Sequence, residues 1–343
     1  MKVKPIKIVF TGGPCAGKTT QINKVRKYLE EKGYKVIVIP ETATELINAG
    51  MDFKFINSLV EFQTIILKYQ YFKEQLNENI VSNKDQNIVL LYDRALLDNK
   101  SYFDNYRDFD YIMNNIPKSE IEILDSYDLV LDLLSLATCN SEKYNLSSNE
   151  ARTETVDQAS ALDKKTSASW VGSNNLHVIS SDVPIDEEFQ KIKSIIDDKL
   201  NGNELKNKKQ IVIDNTLSDF KNYDDNISRT ILVESIILGT NSSKLYIEIL
   251  KKTYKGKTSI MMILQDDNKI YKCEQINNDT YIELINRYKI VSTSSYKCLS
   301  LVYDKNLFDI KFYPNETVLE YNSDSKNISF PNEIKFGKQK KLK

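Results

Sequence analysis

Over the first 200 positions the apolar residues fall in short unbroken runs, each followed by a stretch with a single apolar face. The run "IKIVFT" at 6–11 is apolar and β-branched, the pattern of a strand buried on both faces. Behind it Ile22, Val25 and Leu29 recur at helical spacing between Thr19 and Lys32, and Gly33 supplies a stop. "KVIVIP" predicts a second strand, "ETATELINAG" a short helix ended by Gly50, and residues 53–83 a long amphipathic segment. "NIVLLYDR" and "YDLVLDLL" predict a third and a fourth strand, with a helical, tyrosine-rich stretch between them. A polar stretch after Cys139 leads to a helix over 155–169, a fifth strand in "LHVISS" and a helix reaching about Leu200. Strands alternating with helices predict a parallel sheet covered on both faces, so the class expected for this part is α/β.

The periodicity then changes. "NGNELKNKK" at 201–209 has the polar composition of a linker. Beyond it "RTILVESIIL", "KLYIEILKK", "TSIMMILQDD", "KIYKCEQI", "YKCLSLVYD", "LFDIKFYP" and "TVLEYNS" are short β-rich runs, interrupted once by the helical "DTYIELINRY". They predict an antiparallel sheet or barrel. The expected organisation is a first domain over 1–200, a linker over 201–209 and an α+β domain over 210–343 that ends in the basic tail "FGKQKKLK"; a chain of 343 residues suits two domains, each with its own core.

Composition narrows the function. Lys plus Arg at 47 against Asp plus Glu at 48 gives no overall excess for wholesale binding to nucleic acid. Residues up to 201 are about six charges net negative and the rest about five net positive, so the first domain lacks the basic track of a nucleic-acid protein. The four cysteines form no CxxC pair and read as reduced thiols, and His177 is the one imidazole. A zinc site or a Ser-His-Asp triad has almost no raw material. No run approaches the roughly 20 apolar residues of a membrane span, and the expected location is cytoplasmic.

Chemistry concentrates in "FTGGPCAGKTT" at 10–20. Gly12, Gly17, Lys18 and Thr19 meet the pattern G-x-x-x-x-G-K-[ST] between a predicted strand and a predicted helix. Such a loop turns backbone N–H groups inward onto phosphate oxygens. Gly12, Gly13, Pro14, Cys15, Ala16, Gly17, Lys18, Thr19 and Thr20 are therefore the candidate nucleotide-binding residues, for ATP or GTP. Lys18 is expected at the β and γ phosphates and the Thr19 hydroxyl at one Mg2+ position, with Cys15 a small filler. The guanine reader N-K-x-D is absent: "SNKDQN" has Gln86 where Asp is required.

"VLLYDR" ends in Asp93 then Arg94 rather than in two acids. Acid then arginine at a strand end resembles nucleoside and nucleotide kinases, which implies Asp93 as metal or acceptor partner and Arg94 as phosphate holder. Glu41 of "PETATEL" enters the same crevice, at the carboxyl edge of the sheet. Glu41 and Asp93 both suit a general base; Glu41 is preferred as the base and Asp93 as the Mg2+ partner. Glu41 equally suits a helix start, and Asp93 with Arg94 a structural ion pair. Arg152 stands where a lid arginine would close over the phosphates. Two functions fit: a Mg2+-dependent phosphotransferase or NTPase with a small hydroxyl-bearing acceptor, or a nucleotide-dependent regulatory protein.

Together "IVFTGGPCAGKTT", "VIVIPETATELI", "LLYDRALLDNKSYF" and "ARTETVDQASALDKKTSASWVGSNNLHVIS" resemble the AAA-type P-loop domain of ribosylnicotinamide-kinase-like proteins and of the TRPL translocation defect protein family of eukaryotes. The lid stretch keeps the family's order through Arg152, Glu154, Ala159, Leu162, Asp163, Lys165, Trp170 and His177, and the resemblance covers about residues 6–195. It raises Arg152, Glu154, Trp170 and His177 as site candidates. Members of that family carry a second domain similar to the CYTH, or triphosphate tunnel, fold, which implies a CYTH-like barrel from about Gln210. Its E-x-E-x-K strand is reduced here to Glu234 in "LVESIIL", which speaks against triphosphatase catalysis. Glu234, Glu248, Lys251, Lys252, Lys311 and Glu320 are the remaining ligand candidates, for a phosphoinositide, a polyphosphate or a protein partner, with a peripheral membrane location implied by the first of these.

Overall fold

Five parallel strands build the first sheet: β1 (Ile6–Thr11), β2 (Lys35–Ile39), β3 (Ile88–Asp93), β4 (Leu129–Leu133) and β5 (Leu176–Ile179), in the order β2-β3-β1-β4-β5. The computed structural model describes residues 4–139, 155–223, 227–240, 244–322 and 328–337. β3 and β4 are buried at every position, as their unbroken apolar runs require for a sheet covered on both faces. The chain runs to opposite sides of β1, so the crevice at the carboxyl ends of β1, β3 and β4 is where such a sheet binds ligands. Register makes those ends level: Phe10 lies opposite Asp93 and Thr11 opposite Asp132.

α1 (Lys18–Glu31) buries Ile22, Val25 and Leu29 against the sheet, the three residues its spacing singles out. α2 (Thr42–Asn48) follows β2 directly. The long segment expected over 53–83 is two helices, α3 (Phe53–Ile56) and α4 (Leu59–Val81). Asn57, at φ 54°, breaks the run, and the Ser58 hydroxyl caps α4 by accepting the Glu61 N–H at 3.3 Å. The tyrosine-rich stretch becomes a 3-10 turn over Leu96–Tyr102 and α5 (Tyr106–Met113). α6 (Glu120–Leu124), α7 (Leu136–Cys139), α8 (Val156–Trp170) and α9 (Ile185–Asn201) complete this half of the chain.

The second sheet is antiparallel and eight-stranded: β6 (Lys208–Ile213), β7 (Ser228–Gly239), β8 (Tyr246–Tyr254), β9 (Lys257–Gln265), β10 (Ile270–Gln275), β11 (Lys289–Tyr303), β12 (Asn306–Phe312) and β13 (Thr317–Asn322). Its order is β10-β9-β8-β7-β11-β12-β13-β6, with β10 and β6 at the edges and α10 (Asn278–Arg287) between β10 and β11 in the chain. Residues 201–209 hold the last residue of α9, a 3-10 turn over Glu204–Asn207 and the start of β6. By contact the chain forms two units, Met1–Ile123 with Tyr127–Trp170 and Asn175–Lys193, and Leu124–Ser126 with Val171–Asn174 and Ser194–Lys343. Among the described residues no helix is long and apolar enough to cross a membrane.

Candidate active site

The glycine-rich turn after β1 leads into α1 as its spacing predicts. A Cβ on Gly12, whose φ is 125°, would lie 1.9 Å from the Leu133 carbonyl oxygen, so the loop is pressed against the end of β4 as only glycine allows. Gly17 adopts φ 72° at the N-cap of α1, and Cys15 adopts φ 59°, a left-handed conformation in a non-glycine residue. Lys18 Nζ donates to the carbonyls of Gly12 at 3.0 Å and Gly13 at 2.8 Å, which folds the side chain back over the loop. Burial, and then repulsion from Arg94, lowers the Lys18 ammonium from its usual range to about 8.

Acidic and basic groups from three strand ends gather around that lysine. The Thr19 hydroxyl donates to Asp93 Oδ2 at 3.3 Å, while Asp93 Oδ1 is buried without a hydrogen-bond partner among the described residues. Burial pushes the Asp93 carboxyl up, against the pull of Lys18. Arg94, at φ 64° just past β3, turns its guanidinium to Glu41: Nε donates to Glu41 Oε1 at 2.7 Å, and NH1 lies 3.5 Å from Asp98 Oδ1. Burial opposes the Arg94 charge, but Tyr102, Glu41, Asp98 and Asp93 outweigh it and hold the group protonated. The Thr44 hydroxyl donates to Glu41 Oε2 at 2.7 Å. For Glu41 burial works upward and is outweighed by Arg94, Thr44 and Lys18, so its carboxyl lies below the usual range. With its side chain 28% exposed against 13% for Arg94, Glu41 is the more accessible partner of the pair.

The corner that carries Glu41 is fixed from α4, which buries Gln63, Gln70, Lys73 and Glu74 beside its apolar residues. Thr42 Oγ1 donates to Gln70, Gln70 Nε2 donates to Glu74 Oε1 at 2.8 Å, and Tyr127 Oη donates to Glu74 Oε2 at 2.8 Å. Lys73 Nζ donates to the Pro40 carbonyl at 2.8 Å and pairs with Glu45. Buried polar groups joined in this way specify one position for the loop between β2 and α2.

Lys18, Thr19, Glu41, Asp93 and Arg94 thus meet at one place. Arg152 and Glu154 lie outside the described residues. Trp170 is fully buried and meets Tyr127 edge-on at 5.6 Å, a packing position, while His177 sits half-buried on β5. Three further acids belong to the cluster: Asp98, which also accepts from Thr11 and from the Ala95 N–H at 2.7 Å, Asp132 near the end of β4, and Asp163 on α8. The one sequence signal for Asp98 and Asp132 is an isolated acid within an apolar run, in "RALLDN" and "LVLDLL".

The donor set suits Mg2+. The ion takes hard oxygen ligands and keeps positions for phosphate and water, and Thr19 with the orphaned oxygen of Asp93 offers two such atoms. Among the described residues no group of three or more His, Cys, Asp or Glu forms a self-sufficient metal cage.

The six candidates of the second unit divide between two faces. Glu234 pairs with Lys251 at 3.4 Å on one face, both about half exposed. Strand alternation puts Glu248, Lys252, Lys311 and Glu320 on the other. There Glu320 is held by Lys208 at 3.2 Å, Lys311 at 2.8 Å and Gln210 at 2.8 Å. Glu248 accepts from Ser235 and Gln265, both at 2.9 Å. Lys252, 2% exposed, is consumed by Asp125 Oδ1 at 2.6 Å and the Gly172 carbonyl at 2.9 Å, within the same unit.

A phosphate loop at a topological switch point, with an acid and an arginine at the next strand end, defines a P-loop nucleotide-binding domain of the kinase-like kind. The chain belongs to the AAA domain family, whose model matches residues 7–187, more than half of its length. A segment of 34 residues is 62% identical to a thymidylate kinase of Caldicellulosiruptor saccharolyticus, covering 10% of this chain and 16% of that enzyme. Among solved structures, the PH1819 protein of Pyrococcus horikoshii OT3 is 11% identical with a TM-score of 0.29, over 35% of this chain and 79% of that one. The PH1012 protein of the same organism is 14% identical with a TM-score of 0.27, over 35% and 80%. Likeness at this level carries neither fold nor function.

Proposed function

We propose that the chain is a Mg2+-dependent phosphotransferase or NTPase that takes ATP or GTP in the phosphate loop and a small hydroxyl-bearing acceptor beside Glu41. The observation that carries this is the ion pair of Glu41 with Arg94, at the carboxyl ends of β2 and β3 on one side of the loop. A carboxylate held ionised takes the acceptor's proton as the acceptor oxygen bonds to the γ-phosphorus and the bond to the β-phosphate oxygen breaks, leaving the diphosphate. Arg94 and Lys18 hold charge on the transferring group, and Arg152 joins them as the lid cation in this proposal. Bound at Thr19 and Asp93, Mg2+ would neutralise phosphate charge. The short likeness to a thymidylate kinase agrees with a kinase, but it covers too little of that enzyme to bring its substrate along.

The TRPL-type resemblance and a CYTH-like second domain remain part of this proposal. A regulatory protein that binds a phosphoinositide, a polyphosphate or a protein partner through that domain finds less support, because Lys208 and Lys311 are already paired with Glu320 and Lys252 with Asp125. Incubation with MgATP or MgGTP and a panel of nucleosides, including ribosylnicotinamide, tests the enzyme. Phosphorylated product or stimulated hydrolysis is expected, and neither in any combination would remove it.

A further inference from the structure

The phosphate loop is held by more than its own Lys18. Gly12, Cys15 and Gly17 all have positive φ, and a left-handed conformation costs about 1 kcal/mol or more in a residue such as Cys15. Support comes from α8. Asp163, with no exposed surface, accepts the Gly13 N–H on Oδ1 at 2.7 Å and the Ser135 N–H on Oδ2 at 3.0 Å. The Ser135 hydroxyl in turn donates to the Pro14 carbonyl. One carboxylate and one hydroxyl therefore fix the donor of Gly13 and the acceptor of Pro14, immediately ahead of the N–H groups that face phosphate in a loop of this kind. Glycine at 13 permits the approach: a Cβ there would stand 2.6 Å from Asp163 Oδ1.

Asp132 completes the arrangement. It is fully buried, with the Ser167 hydroxyl beside its carboxyl. Burial and the neighbouring Asp163 charge push its carboxyl well above the usual range. Burial raises the Asp163 carboxyl as well, but the Gly13 and Ser135 N–H groups favour its charged form, so the geometry favours placing a proton shared by the pair on Asp132.

We propose that Asp163 is a positioning residue for nucleotide binding: it clamps Gly13 to Ser135 so that the later N–H groups of the loop converge on a polyphosphate. This rests on the P-loop reading above. Asp163 acts through the loop backbone, and its loss changes affinity for nucleotide beyond any change in stability.

The test compares wild type with Asp163→Asn, measuring the Kd for a fluorescent ATP analogue with Mg2+ and the unfolding midpoint without nucleotide. Asparagine offers one acceptor and one donor, so one backbone N–H is left facing an NH2 group. A Kd raised about tenfold or more in folded protein is expected from losing one charge-assisted hydrogen bond. A lowered midpoint with unchanged Kd would mean a purely structural role and would overturn the proposal. If Asp163→Asn does not fold, Gly13→Ala decides, because a Cβ there would stand 2.6 Å from Asp163 Oδ1 and 3.0 Å from its Cα and so separates the loop from α8 while keeping the carboxylate; an unchanged Kd there also overturns it. Wild type that binds neither ATP nor GTP would remove the P-loop reading and this inference together, an outcome distinct from wild-type binding with unchanged variants.

Discussion

Arg94 Nε donates to Glu41 Oε1 across 2.7 Å, tying the carboxyl end of β3 to that of β2 beside the phosphate loop. The pair keeps Glu41 ionised at neutral pH and within reach of solvent, as a proton acceptor must be. Glu41→Gln preserves size and an acceptor for Arg94 but removes the proposed base. Its kcat is expected to fall by about a hundredfold or more, while the nucleotide Kd stays within about threefold, read by steady-state kinetics and direct titration.

Gly12 is a second point of failure. Gly12→Ala places a methyl group against the Leu133 carbonyl at a backbone angle that L-residues avoid. A loss of about 3 kcal/mol or more is expected in urea unfolding, because neither β4 nor the loop can retreat without breaking strand register.

Glu74 sets a pH dependence. Burial raises its carboxyl from 4.5 to about 7, against hydrogen bonds from Gln70 and Tyr127. The folded chain thus binds this proton more tightly than the unfolded one, so the contribution to stability is full below about pH 4.5 and is lost as pH rises through about 7. The shift corresponds to about 3 kcal/mol. Glu74→Gln is expected to flatten the stability profile between those limits relative to wild type and to be the more stable protein at pH 8, measured by denaturant titration across pH.

In the second unit Glu320 is the common partner of Lys208 and Lys311. Glu320→Ala takes from the part-buried Lys311 the carboxylate it contacts at 2.8 Å and leaves the buried Asp309 as a nearby acid, and a loss of about 3 kcal/mol is expected. Replacing Glu320 and Lys311 by methionine should recover most of that loss, because it removes both charges of the pair. Equal destabilisation by the single and double variants would show that the face depends on something other than this pair.

The parts legible in the sequence are those set by local pattern. β1, the loop and α1 follow from an apolar run, glycines at fixed spacing and a helical stripe. Glu41, Asp93 and Arg94 could be placed at one crevice because strand ends in a parallel sheet converge. Asp98 could not, because it meets Arg94 and Thr11 only through the 3-10 turn that follows β3. The face of Glu234 was equally hidden. β7 has apolar residues on both sides of the sheet, Ile231 and Val233 on one and Leu232 and Ile236 on the other, so alternation gives no contrast. Lys252 finds Asp125 across 127 positions of chain, a distance no local pattern reports.

Transfer of the γ-phosphoryl group is the central claim, and a label placed there follows it directly. With γ-labelled ATP or GTP, Mg2+ and the nucleoside panel, the label is expected on an acceptor or released as phosphate by the wild-type chain. Lys18→Ala and Asp93→Asn should both abolish that turnover. Tight nucleotide binding in the wild type with the label remaining on the triphosphate under every condition would contradict the account.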